Sequence, residues 1–218
     1  MSTDCCSPPA SRAADPRYRR ILWIALVVNV AMFAIEIGVG ARSDSTSLLA
    51  DAIDFLGDAA NYGLSLAAIG MAAIWRPRAA LAKALVMGAF GVGVVARVGY
   101  VWAHGLVPTP EAMGVVGVLA LVANFSVAAL LYAYRNGDAD MRSVWLCTRN
   151  DVLGNLAVLA AALGVFGTRS AWPDLIVALG MAMLALVAAR SIFVQARGEL
   201  RALRTELRRE PVIYSRRS

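Results

Sequence analysis

Charge is scarce in this chain, and so are interruptions in its apolar runs. Of 218 residues only 17% are charged and 59% are hydrophobic, well to the apolar side of the soluble average. A soluble domain of this size could not hide so much apolar surface. Cysteine is scarce too: there are three, two of them adjacent at Cys5 and Cys6. They supply no disulfide framework and read as free thiols on a reducing side. A Gly-rich phosphate loop, a Ser-His-Asp set and an internal repeat are all missing, so no residues stand ready for those chemistries.

What is present is a series of runs long enough to cross a bilayer core of about 30 Å, which takes roughly 20 helical residues. Six occur, over 21–40, 47–74, 79–102, 112–134, 143–167 and 172–194. The first follows a tail ending in Arg17, Tyr18, Arg19 and Arg20 and is too long for a cleaved signal, so it stays as a helix. The expected fold is all-α: a polytopic membrane protein of six transmembrane helices. Residues 1–20 form an N-terminal tail, 21–195 the membrane domain, and 196–218 a short basic helix and tail.

The basic residues sort by side. Arg12, Arg17, Arg19 and Arg20, then Arg76, Arg78 and Lys83, then Arg135 and Arg142, and seven arginines after residue 195 fall on one side. The other side has Arg42 and Arg169. The positive-inside rule therefore puts both termini in the cytoplasm, as an even number of spans requires. The net charge of +6 then reads as topology and contact with anionic lipid, not as a nucleic-acid surface.

Several polar residues interrupt the runs. The first span carries Asn29 and Glu36, and a carboxylate at that depth is expected to face inward. A turn over Arg42, Ser43, Asp44 and Ser45 precedes the second span, with Ser45 or Ser47 its expected N-cap. That span holds Asp51, Asp54, Asp58 and Asn61; residues four apart share a helical face, so Asp54 and Asp58 point the same way. In the fifth span Cys147, Asp151 and Asn155 repeat that geometry. Two helices each offering an i, i+4 pair of ligand-type side chains can enclose a four-coordinate metal. The expected ligands are Asp54, Asp58, Cys147 and Asp151. Cys147 also reads as a small buried apolar residue, leaving three aspartates with Asn155 or water.

The remaining polar residues have plainer readings. Arg97 pairs with a carboxylate or snorkels, His104 is a solvated loop residue, and Asn124 bonds a neighbouring helix. Arg149 neutralises an aspartate or lies near the helix end. Asp174, after Trp172 and Pro173, suits the first turn of the sixth helix. Leu200, Leu203 and Leu207 give a short basic amphipathic helix lying on headgroups and ended by Pro211. Cys5 and Cys6 either catch a soft metal or belong to an ordinary tail.

Asn29 to Glu36, followed by Ser47-Leu-Leu-Ala-Asp51-Ala-Ile-Asp54-Phe-Leu-Gly-Asp58, resembles the first two helices of the cation diffusion facilitators. Asn124, the pair ending in Asp151, and Trp172-Pro173-Asp174 continue the match in order over about residues 20–195. The resemblance implies a six-helix exporter of zinc or a similar divalent ion, dimeric and exchanging metal for protons; the Ala- and Arg-rich composition and short tails suit a bacterial inner membrane. Two features depart from the family. Cys147 stands where the fifth-helix pair usually begins with His, and a short helix replaces the usual soluble domain that supports dimerisation.

A divalent cation requires deprotonated ligands, so loading such a site expels protons and reprotonation expels the metal. Thiolate favours zinc or cadmium, and the carboxylates leave cobalt, iron(II) and manganese open. The metal is cargo, and no resident cofactor is expected. Leu56-Gly57-Asp58 is also similar to part of the intramembrane aspartyl protease motif, but Phe55 stands where that motif needs glycine. A membrane metal sensor that transports nothing is the third class.

Overall fold

The computed structural model describes residues 16–67, 74–134 and 139–214, with the backbone alone for 134, 139–150 and 206–214. Six α-helices and one 3-10 turn make up the described chain: α1 (Pro16–Arg42), α2 (Thr46–Ala67), α3 (Trp75–His104), α4 (Pro110–Leu131), the turn Tyr132–Tyr134, α5 (Ala139–Thr168) and α6 (Trp172–Tyr214). Five are long and apolar enough to cross a membrane. The sixth, α2, carries the three aspartates of the second run and stands among the others. The protein is an all-α polytopic membrane protein, as the hydropathy pattern predicts.

The helices pair as α1 with α2, α3 with α6 and α4 with α5, and among the described residues α2 alone touches all five others. Its central place explains how a segment with so much carboxylate lies at membrane depth. Polar side chains are tolerated there only when protein rather than lipid surrounds them. Leu48 and Ile53 of α2 join Met87 and Val94 of α3, Val158 and Val165 of α5, and Ala182 and Ile192 of α6 in the main apolar cluster. The outer faces, with Trp23, Val115, Phe125, Leu163 and Val187 exposed, suit hydrocarbon. Small residues bring helices close: a Cβ on Gly164 would stand 2.8 Å from Pro173, and one on Gly117 2.9 Å from Leu159. Packing in lipid depends on such close approach.

Several boundaries differ from the sequence reading: α1 begins at Pro16, inside the expected tail, and α5 at Ala139. The stretch between the second and third runs, 75–78, is helical from Trp75; Pro77 falls in the first turn, where its missing N–H has no intrahelical partner to lose. Helix α6 runs without a break for 43 residues to Tyr214, so Gly198 does not separate a second helix and Pro211 does not end it. Glycine costs about 1 kcal/mol in a helix interior, which so long a helix absorbs, and Pro211 falls in the final turn. At 1.5 Å per residue α6 is roughly 65 Å long, about twice the hydrocarbon thickness.

Candidate metal centre

One end of the bundle is pinned by polar contacts. Asp44, at φ 57° in the turn before α2, uses a left-handed conformation that Asp tolerates. There it accepts a 2.5 Å hydrogen bond from Arg97 of α3, whose guanidinium also lies over the Tyr100 ring. Arg97 therefore pairs rather than snorkels. The Thr109 amide donates to the Ser43 carbonyl at 3.0 Å. Ser45 caps α2, its Oγ accepting from the Leu48 amide at 3.3 Å.

The strongest contact of this end joins α6 to α2. Asp174 is wholly buried and accepts from Ser45 Oγ (2.8 Å), the Thr46 amide (2.8 Å), the Ser47 amide (3.1 Å) and Ser47 Oγ (2.6 Å). The sequence reading assigned Asp174 to its own helix. The structure gives it to the N-terminus of α2, where free amides and the helix dipole both favour a negative charge. No signal in the sequence pairs residues 128 apart.

Deeper in α2 the polar groups lack such partners. Asp51 is buried, and Asp54 and Asp58 are partly so. Asp58 Oδ2 accepts from the Tyr62 hydroxyl at 3.2 Å, and the Asp58 carboxyl comes within hydrogen-bonding reach of Asp151 on α5. The charges of Asp51 and Asp58 both act on Asp54. Three of the four expected ligands thus gather between α2 and α5. The fourth, Cys147, has its side chain outside the described residues, though α5 carries its backbone one turn from Asp151. Among the described residues no three His, Cys, Asp or Glu side chains stand at ligating spacing; the carboxylates are neighbours, not a drawn-in shell.

Around them sits a concentration of buried polar atoms without hydrogen-bond partners: Asp151 Oδ2, Asp51 Oδ2, both oxygens of Glu36, and both amide atoms of Asn155. Glu36 faces inward from α1, as expected, and meets Asp51. Each such atom costs about 1–3 kcal/mol, and at the oxygens a bound cation or proton would offset that cost. The donors are oxygens, joined by a thiol if Cys147 turns inward, and they suit a divalent metal better than an anion or a neutral solute.

The remaining polar residues resolve less uniformly. His104 ends α3 and stacks on Tyr100 with ring centroids 4.1 Å apart, away from the carboxylates. Asn124 is buried but its Oδ1 has no hydrogen-bond partner, so the expected bond to a neighbouring helix is not made through that atom. Arg149, Cys5 and Cys6 lie outside the residues whose side chains are described. Lys83 is the residue that sequence reasoning missed. The sequence pattern counts it only among the basic residues of one side, yet it donates from α3 to Asn61 Oδ1 on α2, and its charge acts on Asp58. The available signal was its isolation: the chain has 21 basic residues, and Lys83 is the one lysine among them.

The cation efflux transmembrane domain matches residues 22–200, an interval that takes in all six helices and every carboxylate of the cluster. The chain belongs to the cation efflux family. Two curated relatives are 28% identical over 176 residues, which is 73% of this chain. They are the metal cation efflux system protein CzcD of Cupriavidus metallidurans and the cation efflux system protein CzcD of an Alcaligenes species. The alignment spans 54% of each, so this cation efflux chain corresponds to about half the length of the curated relatives it matches.

Proposed function

We propose that this chain exports a divalent metal cation, zinc first and cadmium next, in exchange for protons, with Asp54, Asp58, Asp151 and Cys147 as ligands. The observation that carries the reading is the meeting of Asp58 on α2 with Asp151 on α5 beside Asp54. Carboxylates brought together from two helices at membrane depth serve ion binding far better than they serve stability. Relatives named as metal cation efflux proteins support the same direction. Cobalt, iron(II) and manganese are further cargo candidates, since the oxygen donors accept them.

Coupling follows from shared ligands. Metal binds only deprotonated carboxylates and thiolate, so loading releases protons, and protons taken up from the far side release the metal. Alternating exposure of one midplane site to the two sides turns that exchange into antiport. The expected setting is a bacterial inner membrane, with both termini cytoplasmic by the arginine distribution and a homodimer as the working unit. The chain is read as a transporter and not as an enzyme.

The test is metal-stimulated proton movement in proteoliposomes with zinc, cadmium, cobalt, iron(II) and manganese, for wild type and Cys147→His. Zinc- or cadmium-driven proton flux supports antiport, and a changed metal order in Cys147→His assigns the thiol to selection. Metal binding without flux makes the chain a sensor; neither binding nor flux removes the metal reading.

A further inference from the structure

Lys83 places a positive charge beside the cluster of carboxylates. It lies in α3 about two turns from Trp75, inside an otherwise apolar stretch (Ala79–Val95). Its ammonium donates to Asn61 Oδ1, and the Asn61 amide also reaches the Asp58 carboxyl. A chain Lys83–Asn61–Asp58–Asp151 therefore runs from α3 through α2 to α5. Asn61 is about one turn past Asp58 toward the end of α2 that continues to Ala67. That is the end the arginines assign to the cytoplasm, so the ammonium stands on the approach that an exported ion takes.

The choice of residue bears on its task. Everywhere else this chain uses arginine for positive charge. Arginine's planar fork would grip a carboxylate with two parallel bonds and hold it; lysine is a compact point charge on a flexible stem that attracts without locking. At the opposite end Arg97 reaches Asp44 through one guanidinium nitrogen.

We propose that Lys83 is a tethered competitor of the transported cation, a fixed positive charge that partly neutralises the Asp58 side of the cluster and so weakens metal binding enough for release. This rests on the export reading through Asp54, Asp58 and Asp151, and it adds the residue that sets the affinity of that site. A positive charge acting on Asp58 repels an arriving dication, in a medium of low dielectric where such effects are large. A site of several carboxylates without it would bind too tightly to turn over; passage requires binding that is also weak enough to leave.

The experiment is Zn2+ titration calorimetry in detergent together with Zn2+ flux in proteoliposomes, on wild type, Lys83→Gln, Lys83→Met and Lys83→Arg. Both uncharged variants are expected to bind Zn2+ about tenfold more tightly, about 1.4 kcal/mol, and to half-saturate flux at a correspondingly lower concentration. Lys83→Arg, which keeps the charge, binds Zn2+ no more tightly than wild type. The sign separates this from a structural role, because loss of a lysine that merely held α3 to α2 would loosen the site and weaken binding. Equal or weaker binding in the uncharged variants overturns the proposal, as does an arginine variant that behaves like them. Wild type that binds Zn2+ without moving it defeats the export reading while the binding comparison still decides the role of Lys83; wild type that does not bind defeats both.

Discussion

Asp174 and Glu36 are carboxylic side chains with no exposure to solvent, and both meet α2. Asp174 receives four donors from the start of that helix; little more than one turn further along, Glu36 meets another carboxyl and neither of its oxygens has a hydrogen-bond partner. The same functional group serves as a clasp in one place and is left unsatisfied in the other. A buried charge whose oxygens are all engaged contributes to holding helices together, whereas an unengaged one costs stability and has to be retained for another reason. The difference divides the molecule into a pinned end and a reactive middle.

The comparison breaks most visibly at the middle. Asp54→Ala and Asp151→Ala are expected to lower metal-stimulated proton flux at least about a hundredfold, since removing one ligand from a small shell destroys dication binding, while the protein still elutes as a folded species. Retained flux in either variant would take the carboxylates out of the mechanism. At the pinned end, Asp174→Ala leaves two amides and two hydroxyls of α2 without their acceptor and should cost about 3 kcal/mol of unfolding free energy, measured by titrating mixed micelles with denaturing detergent. Glu36→Gln should do the reverse, leaving stability unchanged or raising it by about 1 kcal/mol because a desolvated carboxyl is replaced by a neutral amide. If Glu36→Gln costs as much as Asp174→Ala, the two carboxyls do not differ in kind. The smallest effect is expected from Asp44→Asn. Its pair with Arg97 is partly exposed, and such pairs contribute about 0.2–1 kcal/mol, a difference that should vanish in 1 M salt.

The sequence carried much of this because its strongest signals are local. Apolar runs of sufficient length, arginines gathered on one side, and aspartates four apart on two helices all follow from bilayer thickness and helical pitch. They placed the helices and the inward turn of Glu36, and they named Asp54, Asp58 and Asp151 as candidates. Helix ends were less legible. Pro211 reads as a break, and Pro77 lies in a first turn, where a proline costs little; one-dimensional pattern does not say which turn a proline occupies.

Sequence alone therefore determined that the chain lives in a membrane and which carboxylates are candidates for an ion, since hydropathy and pitch are properties of a single segment. Only the tertiary structure decided that α2 is the central helix, that Asp174 clasps its start and that Lys83 stands beside Asp58. Those facts depend on which helices lie against one another. In a bilayer, where every helix offers a similar apolar face, that is decided by side-chain fit among residues far apart in the chain.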